Sequence, residues 1–364
     1  MLPEYLQGIA RVAVDAAVSA SPMAHRVRER LPQAQWDILA DGEHLEPGYV
    51  QEAVLYLKQY KGRFVRPCPG TSHYQCCGYQ IIHIGENCPL RCSYCILQAY
   101  FQDRVLKVWA NQDDLWQELE RTFTENSRQR FRMGTGEFTD SLVLEPLTGY
   151  SRDLVGFLRA YPQVCLELKS KVVDLSWMEA AHDPTRVLPA WSMNAPEISA
   201  REEQGQCATL EERLRAARTC AQAGFRVCLH FDPIILFPGW EAGYARTIEM
   251  IFDYLTPGDI AYVSLGSFRH MPDLKRHIAQ NFPQSSYIYG EFITGLDGKQ
   301  RLLRPLRVQQ FRFLVQGLRQ GGLDRQLYFC MESNEVWQAV LGRTPRDFGG
   351  LYRYLMDLAF EGSN

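Results

Sequence analysis

The chain has 364 residues, 46% hydrophobic and 22% charged. It is too long for one small core and ordinary in composition for a soluble globular protein, so it suits one large α/β domain or a main domain with appendages. A net charge of −3 excludes a generally basic nucleic-acid binder, although not a local basic groove. No run of 18 apolar residues occurs, so no membrane partner is expected.

Residues 1–66 read as mostly helical. Leu6, Ile9, Ala13, Ala16 and Ala17 recur at helical spacing, and Ser21-Pro22 interrupts them. A second helix is expected after Pro47, through Val50, Val54, Leu55 and Leu57. Acids and bases balance across this stretch, which reads as a cap on the main domain. The N-terminus carries Glu4, Arg11 and Asp15 and lacks a basic leader. With eleven cysteines and no secretory signal, the expected compartment is reducing, hence cytoplasmic. Residues 67–78 form a Gly/Pro turn region holding Cys68, His73, Cys76 and Cys77. A second metal site, a redox pair and a loop with packed thiols are the three readings of it. Adjacent Cys76 and Cys77 point in different directions, which favours the last.

From Tyr79 onward, short β-rich runs alternate with helically spaced ones. The strands are expected at 79–84, 131–134, 164–168, 187–192, 225–232 and 261–267. The helices are expected at 112–123, 151–160, 177–181, 210–223 and 240–255. Six βα units in a row mean a parallel sheet with helices outside it, curled by crossovers of one hand. In such sheets function collects on loops at the C-terminal ends of the strands.

Directly after the first strand comes GENCPLRCSYCILQAY, with Cys88, Cys92 and Cys95 spaced C-x3-C-x2-C. Three soft thiolates this close can hold three irons of a cubic iron–sulfur cluster and leave the fourth iron open. Three buried thiols on a turn, or a zinc site, are the alternatives; structural zinc wants four ligands.

The spacing, the aromatic Tyr94 before the last Cys and the preceding strand resemble the radical S-adenosylmethionine (SAM) signature. The wider run SYCILQAYF is similar to the same place in the spore photoproduct lyases. This resemblance implies a (β/α)6 partial TIM barrel over residues 79–270, preceded by a helical segment (1–78) and followed by a C-terminal extension (271–364). It implies a [4Fe–4S] cluster whose open iron chelates SAM, and cleavage of SAM to a 5′-deoxyadenosyl radical. It also implies a reducing partner of the flavodoxin or ferredoxin type and repair of a thymine dimer photoproduct in DNA.

Past the second strand, Gly136 and Glu137 match in type a GGE-like motif that holds the amine of SAM. Glycine admits a close approach there and a carboxylate can bind an ammonium. After the third strand, Lys171 fits the lyases' Thr-Lys pair, where it could meet the SAM carboxylate; a solvated Lys is the alternative. Ser192 and Asn194 follow the fourth strand and suit ribose hydroxyls and that carboxylate, or serve as caps. Asp232 ends the fifth strand and could face adenosine or substrate, or shape a turn before Pro233.

Two positions depart from the lyases. They use a Cys where Glu137 stands and a Tyr where Ile96 stands, and neither replacement can relay a hydrogen atom. Cys330, at the end of a late strand-like run, is a candidate replacement donor if that strand extends the barrel. Lys299, Arg301, Arg304, Arg307, Arg312, Arg319 and Arg325 face only Asp324 in their stretch, with Phe311 and Phe313 interleaved. They could contact phosphates of damaged DNA or form a solvated helix face, with Phe311 in the core. Residues 290–299 read as a hairpin that could wedge into a duplex. A radical SAM enzyme acting on another substrate (modified nucleoside, RNA, peptide or small molecule) is the second reading. A non-catalytic iron–sulfur protein is the third.

Overall fold

In a computed structural model, which describes residues 2–361 apart from Gly42, His44, 46–52, Ser72 and Gln102, the expected alternation is present from the first barrel strand onward. The strands in chain order begin with β1 (Arg11–Asp15), β2 (Gln35–Leu39), β3 (Val54–Lys58), β4 (Val65–Pro67), β5 (Gln80–Ile82) and β6 (Gly85–Glu86). They continue with β7 (Leu106–Trp109), β8 (Phe131–Gly134), β9 (Val164–Ser170), β10 (Val187–Ser192), β11 (Val227–Ile234) and β12 (Ile260–Ser267). The last are β13 (Arg269–His270), β14 (Phe292–Thr294), β15 (Gln300–Leu302) and β16 (Leu327–Phe329).

The main sheet has the order β16-β12-β11-β10-β9-β8-β5-β4. Its strands pair in parallel except β4, which runs antiparallel beside β5. Strands β10 and β12 are buried along their whole length, as a parallel sheet covered on both faces requires. Their sequences are accordingly continuous apolar runs. The crossover helices fall where periodicity put them: Gln112–Glu125, Tyr150–Leu158, Leu210–Gln222 and Trp240–Tyr254. Thr209 and Glu212 start the third of these with a reciprocal capping box. The segment expected as a helix around Trp177 is a 3-10 turn, Ser176–Ala180.

The N-terminal segment departs from expectation. It is not mostly helical: β1, β2 and β3 lie parallel and join β7 and β6 in a five-stranded sheet ordered β2-β1-β3-β7-β6. Ala13 sits in a strand, and Val54, Leu55 and Leu57 form β3 rather than a helix. Pro47 and Val50 lie outside the described residues. Short buried runs such as Val12-Ala13-Val14 satisfy helical and strand patterns alike, and the pairing across β1 decides between them. One contiguous apolar core runs from Leu6 through the barrel to Phe360.

Residues 73–78 close the seam between the two edges of the curled sheet. The Gln75 N–H donates to the Glu332 carbonyl at 3.0 Å and its side chain reaches Asn334 at 3.0 Å. The Arg301 guanidinium lies 4.0 Å over the Tyr74 ring. The expected hairpin is present as β14 and β15, with β13 as a third antiparallel strand. Among the described residues no helix is long and apolar enough to cross a membrane.

Candidate active site

The cluster loop is shaped by two residues in the left-handed region, Asn87 (φ 70°) and Arg91 (φ 53°). Asn tolerates this conformation because its short amide can bond locally. The Asn87 amide donates to the carbonyls of Val105 (2.9 Å) and Asp103 (3.1 Å). Ser93 binds Glu202 through both its N–H and its hydroxyl, at 2.8 and 2.6 Å. Gln98 donates to the carbonyls of Cys92 and Ser93 at 3.1 and 2.9 Å. These bonds tie the loop to its neighbours in the fold.

Cys88, Cys92 and Cys95 line one cavity of about 250 Å³. Its walls also carry Gly136, Glu137, Lys169, Lys171, Ser192 and Asp232, which come from the C-terminal ends of β8, β9, β10 and β11. Burial pushes the Cys95 thiol up to about 12 and the Cys88 thiol well above its ordinary range. Such thiols become thiolates only when a metal takes the proton's place. Among the described residues no three His, Cys, Asp or Glu side chains converge on a single-ion site. A cubane, whose irons sit at separate corners, accepts thiolates that share a cavity without converging. The donor set of three thiols around one cavity thus fits an iron–sulfur cubane with one open corner.

Tyr94 is buried, and its hydroxyl donates to Glu203. Glu203 also pairs with Arg213 and, at 3.2 Å, with Lys171. Burial pushes the Glu203 carboxyl up, but Lys171 and Arg213 outweigh it and hold the group at about 2. Lys171 lies 5.2 Å over the Tyr94 ring, so its charge is already balanced in this network. Arg213 donates in turn to the Ser192 carbonyl at 2.8 Å. Glu137 pairs with Lys169 at 3.1 Å. Gly136 sits in a tight place: a Cβ there would stand 3.1 Å from both the Lys169 carbonyl and the Ser141 hydroxyl. Asp140 ties the β8 and β9 loops together, accepting from Ser170 Oγ at 2.7 Å and the Lys171 N–H at 2.8 Å. Asp232 pairs with Arg269 at 3.2 Å. Burial raises the Asp232 carboxyl, but Arg269 and Lys169 more than reverse this and hold it below the usual range.

Asn194 corrects an expectation. Its amide is spent inside the fold: it donates to the Pro233 carbonyl (3.2 Å) and accepts from the Ala195 N–H (3.1 Å) and the Tyr244 hydroxyl (2.7 Å). It does not line the cavity. Cys330 meets its condition in part. β16 does extend the parallel sheet, beside β12. The thiol, however, accepts from Arg269 Nη2 at 3.4 Å, while the next residue, Met331, lines the cavity. Cys68 lines it too, with its thiol pushed up to about 12 by burial and by Glu137.

Most cations of the basic stretch are paired or bonded within the fold. Arg301 is buried against Asp297, and Arg307 against Glu332. Arg319 pairs with Asp324, Arg325 with Glu361, and Arg312 donates to the Ala339 carbonyl at 2.8 Å. Arg304 stands exposed where its helix starts. Phe311 is core, stacked on Phe329 at 4.6 Å.

Sequence reasoning missed Lys169, Glu203 and Arg269 as cavity residues, and it placed Lys299 only in a basic stretch, not at the cavity. Lys169 and Arg269 stand at strand ends and were open to the rule that located Glu137. Glu203 comes from a segment far along the chain and carried no local signal. It also missed Cys207, whose sulfur lies 3.6 Å from that of Cys92.

A curled parallel half barrel with three cysteines on the loop after its first barrel strand defines a radical SAM protein. The family model of spore photoproduct lyase matches residues 73–292. The chain is similar to spore photoproduct lyases from Geobacillus sp. (strain Y412MC61), 23% identical over 207 residues, and Bacillus subtilis (strain 168), 22% identical over 208. Each alignment covers 56% of this chain and spans 60% of the relative's length. Among solved structures, a mutant spore photoproduct lyase with bound AdoMet and dinucleoside spore photoproduct superimposes with a TM-score of 0.75 at 18% identity. That superposition covers 88% of this chain and 98% of the other. The chain belongs to the spore photoproduct lyase family.

Proposed function

We propose that this protein is a radical SAM enzyme that acts on a pyrimidine lesion in DNA. The observation that carries the proposal is the single cavity in which Cys88, Cys92 and Cys95 face the polar ends of four successive parallel strands. Cys88, Cys92 and Cys95 would hold a [4Fe–4S] cluster, and Ser192, Glu137 and Lys171 would surround SAM beside it. The bound pair supplies one-electron cleavage of SAM and, from it, hydrogen-atom abstraction. The protein's own part is orientation and exclusion of water. Tyr94, Lys171, Glu203 and Arg213 lock the cluster loop to the ends of β9 and β10. Lys169 holds Glu137 against the cavity wall.

The hairpin supports a duplex partner: Leu296 at its tip is 74% exposed and Ile293 beside it 46%. Exposed apolar side chains beside a cavity mouth can wedge between stacked bases. We place the protein in the cytoplasm, with a flavodoxin- or ferredoxin-type electron donor. A second reading keeps the radical chemistry and changes the substrate. Glu137, ion-paired to Lys169, and Ile96 stand where the lyases relay a hydrogen atom, which favours it.

The test uses anaerobically reconstituted, dithionite-reduced protein with SAM, assayed for 5′-deoxyadenosine with and without ultraviolet-damaged DNA. Cleavage and lesion loss with damaged DNA are expected. Cleavage indifferent to damaged DNA moves the substrate to the second reading. A full cluster that neither binds nor cleaves SAM removes the enzyme reading altogether. Cys330→Ala then tests the candidate hydrogen donor: turnover should fall, and unchanged turnover would remove Cys330 from that role.

A further inference from the structure

Lys299 is a buried cation without an acid. It immediately precedes the return strand of the hairpin, lines the cavity and is only 9% exposed. Its Nζ lies 3.8 Å from the thioether sulfur of Met331, and no ion pair forms at it among the described residues. The nearest carboxylate on its own turn, Asp297, is taken by Arg301 through both oxygens, at 3.3 and 2.7 Å. Arg269 and Arg301 add positive charge around it, so burial and like charge push its ammonium below the ordinary lysine range. Arg269 lines the same cavity and spends one nitrogen on Asp232. A desolvated, unpaired ammonium beside a guanidinium is unfavourable until an anion arrives. Both groups stand where the segment after β12 and the turn between β14 and β15 meet the cavity, across the sheet from the cysteine loop after β5.

We propose that Lys299 and Arg269 form an anion subsite that takes a phosphate oxyanion of the substrate. The bearer of that phosphate rests on the lesion reading: it is the phosphodiester that joins the two nucleosides of the photoproduct. Lysine suits this role as a point charge, and an arginine beside it adds directed donors.

The experiment uses the full chain, reconstituted anaerobically with SAM. It compares binding of a dinucleoside lesion, which lacks the bridging phosphate, with that of the dinucleotide lesion, which has it. Inorganic phosphate is titrated separately. The wild type should bind the phosphate-bearing lesion about tenfold or more tightly, as one desolvated charge pair allows. Lys299→Met should erase that gap and the binding of inorganic phosphate, and leave SAM affinity unchanged. Lys299→Arg should keep the gap. Removing an unpaired buried cation should also raise the melting temperature of the free Lys299→Met protein, so misfolding is not the expected confounder.

A gap that survives in Lys299→Met overturns the subsite. A matching loss of SAM affinity overturns its assignment to substrate, because the anion would then be the SAM carboxylate. Phosphate binding without any lesion gap overturns that assignment as well. If neither lesion binds, the lesion reading fails by itself, and the phosphate titration alone decides whether Lys299 holds an anion.

Discussion

Replacing Glu203 by Gln tests whether the network behind the cluster loop is as tightly coupled as its geometry implies. Glu203 and Arg213 are almost completely buried, at 2% and 0% side-chain exposure. Gln keeps the shape and one acceptor but removes the charge that Arg213 and Lys171 share. Breaking a buried pair by removing one partner costs about 3 to 5 kcal/mol, because the remaining charge is left uncompensated. That is a large part of the roughly 5 to 15 kcal/mol that holds a domain folded. Denaturant unfolding of Glu203→Gln should therefore show a shift of about 3 kcal/mol. The exposed pair Glu211–Arg215 provides the control, and Glu211→Gln there should change stability by less than about 0.5 kcal/mol. A double variant with Arg213→Met should lose less than the sum of the two single losses, since the second change removes the orphaned charge. The carboxyl is held at about 2 in the fold against 4.5 in the unfolded chain. A depressed acid stabilises above its unfolded value, and that contribution fades as the pH falls from about 4.5 toward 2. The wild-type advantage over Glu203→Gln should narrow over the same window. A loss below about 1 kcal/mol at neutral pH, or strict additivity with Arg213→Met, would refute the network.

Serine at Cys88, Cys92 or Cys95 should abolish the visible absorbance and bound iron of the reconstituted protein. Cys207→Ser should retain both, because Cys207 borders Cys92 without lining the cavity. Asn194→Ala should lower stability by about 2 kcal/mol, since the Pro233 carbonyl loses its donor and the Tyr244 hydroxyl its acceptor. It should leave SAM affinity unchanged, and a loss of affinity at full stability would restore Asn194 to the binding wall. Burial raises the Glu145 carboxyl from 4.5 to about 7. An acid raised in the fold stabilises below its unfolded value, and the benefit is lost as the pH rises from about 4.5 to 7. Glu145→Gln should accordingly gain on the wild type across that window, read as the difference in unfolding midpoint, and a constant difference would show that Glu145 stays neutral or fully charged throughout.

The sequence by itself determined the elements whose cause is local. Strands 131–134 and 187–192 were legible to the residue, because turn residues bound each short run and the segments around them carry the helical period. The three cysteines, with Tyr94 between the last two, pointed by spacing and by family resemblance to an iron–sulfur cluster. Gly136, Glu137, Ser192, Lys171 and Asp232 followed from a rule about strand ends, and the fold gathers them around one cavity. What only the tertiary structure decided depends on partners distant in the chain. β1 and β3 are strands because they pair with each other; their apolar runs alone are equally good helix faces. Asn194 is structural because Tyr244 and Pro233 arrive to occupy its amide. Three charges of the basic stretch, on Arg301, Arg307 and Arg325, are answered by Asp297, Glu332 and Glu361, all outside residues 299–325. Lys299 stands apart for the same reason inverted. Charge is written in the sequence, but whether a charge is answered is settled by which residues the fold brings within about 4 Å of it.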